Sequence, residues 1–262
     1  MSDSQPIIVE RTDGIGRITL DRPESYNSLD VETADALRDA AIDLANDDAI
    51  RCILLAANGP AFCSGADLSA FEGDETDARR LDRVATRLHR TVETLATAPK
   101  PTVAAVDGVA AGGGLGLALA SDVVLAHEDA RFEFTYPRIG LSADGGSTWF
   151  LPRLVGYRKA REIVLLDEPI SAPESVEMGL TTELVGDDDW DERVEAVVAD
   201  LAAGPTKAYA TSKRLLNESD EQSLSTQLAD EKDGIARLAR TGDYERGYAA
   251  FFGKEEPAFE GE

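Results

Sequence analysis

Two short segments hold the residues with the clearest chemical potential. The first, "AFCSGADL" (Ala61 to Leu68), follows the apolar run "IRCILLAA". The second, "GVAAGGGLGLALASD" (Gly108 to Asp122), crowds Gly112, Gly113, Gly114 and Gly116 into its centre. Glycine inside an ordered element is less stable than alanine by roughly 0.5–1 kcal/mol, so such a run marks a place where another group approaches the backbone. That group could be a neighbouring strand or helix packed tightly against it, or it could be a ligand. For a ligand, the chain enters a helix near Gly113, where main-chain N–H groups lack intrahelical partners. Ala66 can present a second exposed N–H. Two such donors around one oxygen make an oxyanion hole, worth roughly 3–4 kcal/mol per donor. No Gly-Lys-Ser/Thr follows the glycines, which excludes a P-loop. Their spacing also fails the dinucleotide-binding fingerprint.

These two loops must be placed by the elements around them. "IIVER" and "GRITLD" alternate apolar and polar residues about Gly14 and Gly16 and read as a hairpin. "LDVETADALRDAAIDLANDD" has helical spacing, with Asp30 as its N-cap. "IRCILLAA" and "TVAAVDG" read as buried strands, and Asp77 to Ala98 reads as an amphipathic helix ended by "PKP". "LGLALAS" is a short helix and "DVVLAHE" a strand. Beyond about residue 145 the pattern is helical in "STWFLPRLVG", "YRKAREIVLL", "DERVEAVVADLAA", "TKAYATSKRLL" and "SLSTQLADEKDGIARLA", with "TTELV" as one short strand. The alternation of strands and helices indicates an α/β architecture. Each of the two glycine-containing loops follows a strand, and in open α/β folds that edge binds ligands.

The composition narrows the function further. The 262 residues carry a formal net charge of −24, which repels nucleic acid. The acidic residues are dispersed and only six of the basic residues are lysines, a pattern resembling proteins of salt-rich cytoplasm. No apolar stretch suits a membrane span, and "MSDSQPIIVERTDG" matches neither a signal nor a transit peptide. Two cysteines, Cys52 and Cys63, suggest neither a disulfide framework nor a metal site. A cytoplasmic location is the expectation.

The segments "LDRPESYNSLD", "AFCSGADLSAF", "PKPTVAAVDGVAAGGGLGLALASDVVLA", "ARFEFTYPRIGLSADGGSTWFLPRLVG" and "SAPESVEMGLTTELV" resemble, in order and spacing, the enoyl-CoA hydratase/isomerase (crotonase) family. The resemblance implies a ClpP-like spiral of ββα units. Residues 1–203 would form the core with the acyl-CoA site, and residues 204–262 a helical region that mediates assembly into a homotrimer or hexamer. It implies a coenzyme A thioester as substrate, with no metal and no redox cofactor. Carried over residue by residue, the oxyanion donors fall on Ala66 and Gly113. The coenzyme A contacts fall on Ser25, Tyr26, Ala66, Asp67 and Leu68, with Phe251 and Lys254 at the nucleotide end, in some members across a subunit boundary.

The chain departs from the family's hydratases. Their two glutamates fall at Gly116 and near Tyr136, and neither position has a carboxylate here. Asp144 appears eight residues beyond Tyr136 instead. Isomerases of the family place an aspartate there, among them ring-1,2-epoxyphenylacetyl-CoA isomerase, and so do aryl-CoA dehalogenases. A single carboxylate can remove a proton and return it at another carbon, whereas water addition usually needs two groups. The expected activity is therefore an acyl-CoA isomerase using Asp144. The alternatives are a hydratase with a different acid/base set, a dehalogenase-like enzyme, or a protein that binds coenzyme A without catalysis. Asp144 could also serve as the N-cap of the following helix. Five further residues have bland expectations. His89 should have a surface or packing role, assisting Asp144 only if its helix flanks the pocket. Glu133 should be solvated and His127 exposed. Asp67 should organise its loop, and Cys63 should be a packed thiol.

Overall fold

In the computed structural model, which describes residues 5–262, the chain opens with an antiparallel hairpin of β1 (Ile7–Thr12) and β2 (Ile15–Leu20). Asp13 and Gly14 close it with φ values of 52° and 79°, the paired left-handed conformation of a tight hairpin turn. Next come α1 (Val31–Asn46), β3 (Cys52–Ala57), α2 (Asp77–Thr97), β4 (Thr102–Val106), β5 (Val109–Ala111), α3 (Gly113–Leu119), β6 (Val123–His127) and β7 (Arg131–Glu133). α4 (Ser147–Leu166), β8 (Ile170–Ser171), α5 (Ala172–Glu177), β9 (Glu183–Val185) and α6 (Trp190–Ala203) complete this part. The Asp30 carboxylate accepts from the Thr33 amide at 2.8 Å and caps α1 as its sequence indicates.

Six strands form one sheet in the order β1-β2-β3-β4-β6-β9, parallel apart from the first pair. β5, β7 and β8 form a second, smaller sheet. The runs β4–β5–α3 and β6–β7–α4 are thus two successive ββα turns, each laying one strand in either sheet before its helix. The parallel strands of the large sheet are apolar on both faces, as expected for strands covered on both sides. Ile53, Leu55, Ala104, Val106, Val124 and Ala126 point into the main core with α1, α2 and α3. Cys52, Leu54, Val103, Ala105 and Leu125 point the other way, onto Val194, Val198 and Ala202 of α6.

Three further helices follow: α7 (Thr206–Glu218), α8 (Leu224–Leu238) and α9 (Gly242–Gly253). Lys213 anchors α7 by donating to the Leu95 carbonyl and to Asp122, each at 2.8 Å. Arg51 donates to the carbonyls of Gly204 at 2.6 Å and Phe259 at 3.0 Å. α8 and α9 leave Leu228, Ile235, Tyr244, Tyr248, Phe251 and Phe252 exposed.

Some local expectations need correction. The two helices read from "STWFLPRLVG" and "YRKAREIVLL" run together as α4, bent at Gly156, where φ is 74°. The short strands β5, β7 and β8 have no periodic signal of their own, because two or three residues are too few to show one. His127 is buried, not exposed. Its ring lies edge-on to Trp190, and its nitrogens face Asp107 at 3.6 Å and Asp187 at 3.4 Å.

Candidate active site

The loop between β3 and α2 is held by two isolated parallel bridges, Leu29 with Ala66 and Cys63 with Ala110. In the first, the Leu29 amide donates to the Gly65 carbonyl at 2.7 Å, and the Asp67 amide donates to the Leu29 carbonyl at 2.9 Å. The residues flanking Ala66 therefore make both hydrogen bonds. In extended backbone successive N–H groups alternate in direction, so the Ala66 amide faces away from Leu29. Among the described residues neither the Ala66 nor the Gly113 amide has an acceptor. The two lie close together: a Cβ built on Gly65 would stand 3.4 Å from the Gly113 nitrogen.

The glycine run explains itself through backbone contacts. A Cβ on Gly114 would stand 2.1 Å from the Cys63 carbonyl oxygen, and one on Gly113 would stand 2.8 Å from Leu88. A Cβ on Gly116 would stand 2.1 Å from the Gly145 carbonyl oxygen. The tight packing and the bare amides considered for this run therefore occur together. α3 is pressed between the Cys63–Ala66 loop and the loop that carries Asp144.

A cavity of 360 Å³ lies where these loops meet. Ala66, Leu68, Gly113, Tyr136 and Asp144 are in its wall, and α2 supplies Leu81, Val84, Ala85 and Leu88. Asp144 is partly buried, with its side chain 29% exposed. Its carboxylate accepts from the Gly145 amide at 2.7 Å and from His89 Nε2. It caps no helix: the residue preceding α4 is Gly146, and only the Asp144 main-chain carbonyl bonds Ser147. His89 therefore does more than pack at the surface, because the exposed face of α2 turns toward the Asp144 loop. A second carboxylate, Asp82, sits at the exposed rim of the same cavity.

Tyr136 is held by a clasp that sequence reading did not reveal. Thr135 adopts φ 65°, and its amide donates to Asp167 at 2.7 Å. Arg138 joins Asp167 at 2.7 Å to Glu133 at 2.8 Å. Glu133 is accordingly ion-paired, its side chain 14% exposed, and not solvated; it is not part of the cavity wall. Burial, and then the charge of Asp144, raise the Tyr136 phenol above its usual range, so it stays protonated. Burial pushes the Cys63 thiol up to about 12, consistent with an inert packed group.

The remaining expected contacts divide into two groups. Ser25 and Tyr26 lie on a turn beside the cavity loop, where the Ser64 amide donates to the Tyr26 carbonyl at 3.1 Å. Tyr26 is 59% exposed. Asp67 organises its loop, bonding the Ser69 amide at 3.0 Å and Arg22 at 3.1 Å. Its burial opposes ionisation, but hydrogen bonds from Ser69 and Arg22 prevail and hold the carboxyl below its ordinary value. Phe251 and Lys254, at the end of α9, are not in the wall of this cavity; Phe251 lines a separate groove formed with α7 and α8.

The two-sheet ββα spiral, and a ligand cavity at the ends of its parallel strands, define a crotonase-type fold. The chain belongs to the enoyl-CoA hydratase/isomerase family, which it matches over residues 10–262. It is 36% identical to the 1,2-epoxyphenylacetyl-CoA isomerase of Escherichia coli (strain K12), over 95% of each chain. It is 39% identical to a Rhodobacter capsulatus protein named "Probable enoyl-CoA hydratase", over 96% of each. The crystal structure of an enoyl-CoA hydratase from Bacillus anthracis superposes with a TM-score of 0.91 at 30% identity, covering 98% of this chain and 100% of that one.

Proposed function

We propose that this protein is an acyl-CoA isomerase that shifts a double bond, or rearranges an unsaturated ring, beside a coenzyme A thioester. The amides of Ala66 and Gly113 donate to the thioester oxygen. Asp144 removes a proton from a nearby carbon, and the electron pair delocalises onto that oxygen as an enolate. The same carboxyl then returns the proton at another carbon, which moves the double bond without net gain or loss of atoms. No cofactor takes part besides the coenzyme A of the substrate. The observation that supports this reading best is the joint position of Ala66, Gly113 and Asp144 in one cavity wall, while Gly145 fills the space a side chain at Gly116 would need.

A second reading, hydration, draws on the His89–Asp144 hydrogen bond, which supplies two titratable groups of the kind water addition uses. Incubation with a 3-enoyl-CoA and with crotonyl-CoA separates the two. Appearance of the conjugated 2-enoyl thioester from the former supports isomerisation; loss of conjugation from the latter supports hydration. We also infer that the apolar residues exposed on α8 and α9 are covered by further copies of the chain in a homotrimer or hexamer. Phe251 and Lys254 would then reach coenzyme A in a neighbouring copy.

A further inference from the structure

A second cavity, of 570 Å³, shares Ala143 and Asp144 with the wall of the first. Leu88 lines the first cavity and His89 the second. Consecutive helical residues diverge by about 100°, so α2 turns from one chamber to the other at this point. The hydrogen bond between His89 and Asp144 ties a residue of the second wall to one shared by both. Much of the second wall is apolar: Val92 and Ala96 come from α2, Trp149 and Phe150 from α4. Asn217 of α7 closes one side, its amide donating to the Ala96 carbonyl at 2.8 Å.

Trp149 is the notable member of this wall. It is 42% exposed although it is among the largest apolar side chains in the protein. Its ring is flanked by the Phe150 ring, edge-on at 4.9 Å, and by the Arg153 guanidinium, 3.9 Å over its centroid. A large, incompletely covered aromatic group in a concave wall is a mark of a binding site. The proton transfer proposed above uses none of these groups except Asp144 and its partner His89.

We propose that the second cavity receives the distal part of the acyl group, and that its preferred occupant is an aromatic ring. The inference rests on Asp144 facing the reacting carbons. With the thioester at Ala66 and Gly113 in the first cavity and those carbons at Asp144, acyl atoms beyond them continue into the second. An apolar cavity of about 150 Å³ already holds benzene, so space is not limiting. Rings pack edge-to-face against other rings, which Trp149 and Phe150 permit.

The test is equilibrium binding of two saturated thioesters, 4-phenylbutanoyl-CoA and butanoyl-CoA, to the full chain by calorimetry. Neither has a double bond to move. The parent is expected to bind the phenyl thioester about thirtyfold more tightly, the effect of burying one phenyl group. Ala96→Trp, which fills the cavity from a partly exposed position, is expected to reduce that ratio to about threefold or less. Trp149→Ala removes the wall instead and is expected to lower the ratio about fivefold. Equal binding of the two thioesters by the parent, or a ratio unmoved in both variants, overturns the proposal. A preserved ratio without turnover of any unsaturated thioester overturns the isomerase reading alone.

Discussion

His89 on α2 and Asp144 on the loop before α4, 55 residues apart, share a hydrogen bond at the wall of the cavity. The carboxylate that the isomerase reading needs is thereby oriented from a helix that also supplies the apolar lining. Asp144→Asn keeps the shape and removes the base. It is expected to lower kcat on a 3-enoyl-CoA by about a thousandfold. Because Asp144 caps no helix, the melting temperature should stay within about 4 °C of the parent. Turnover equal to the parent would remove Asp144 from the mechanism.

On the isomerase reading, the hydrogen bond to Asp144 makes His89 a positioning residue that acts through the carboxylate. His89→Ala is expected to lower kcat about thirtyfold with little change in KM, since the thioester contacts lie elsewhere. His89→Gln, which can still donate a hydrogen bond, should recover part of the loss. If Ala and Gln behave alike, or if KM rises in place of a fall in kcat, the positioning role is wrong.

The backbone contact at Gly116 makes a prediction about fold and chemistry together. Gly116→Ala should destabilise the protein by about 2 kcal/mol or more, because the Gly145 carbonyl must move. Gly116→Glu should therefore fail to create a hydratase and should unfold at a lower urea concentration still. A well-folded Gly116→Glu protein that hydrates crotonyl-CoA would refute this.

The buried thiols set a pH dependence. Burial raises both Cys52 and Cys63 from 9.0 to about 12. The unfolded chain loses these protons first. Their stabilising effect is thus complete below pH 9 and declines as pH rises from about 9 toward 12, by about 1.4 kcal/mol per pH unit for each thiol. Urea unfolding over that range should show a shallower decline for Cys63→Ala than for the parent. Identical slopes would mean that the thiol is not shielded.

The dispersed acidic surface, with a net charge of −24, supports the proposal that the protein is adapted to high salt. Raising salt from about 0.1 to about 1 M shortens the screening length from about 10 to about 3 Å. The melting temperature should rise over that interval, as scanning calorimetry would show. A flat or falling curve would assign the charge to ordinary solubility.

Much of this protein was legible before any coordinates. The hairpin turn at Asp13–Gly14, the Asp30 cap and the long helix from Asp77 are local, written in turn chemistry, side-chain capping and apolar spacing. The two loops that carry the oxyanion candidates Ala66 and Gly113 were legible too, because their glycines and their place after apolar strands are matters of residue type and spacing. Beyond the strands too short to show a period, what stayed hidden shares one cause. The clasp of Thr135, Arg138 and Asp167, the burial of His127 and the reach of His89 all join residues far apart in sequence, and no periodicity records such pairings.

The sequence by itself determined the family, the order of the longer strands and helices up to β6, and the absence of carboxylates at Gly116 and Tyr136, since each is a matter of residue type and near-neighbour spacing. Only the tertiary structure decided that Gly145 occupies the space beside Gly116, that His89 meets Asp144, and that two cavities share that carboxylate in their walls. Those outcomes depend on how separate helices and loops pack to ångström tolerance, and close packing is a property of the assembled chain, not of any one segment.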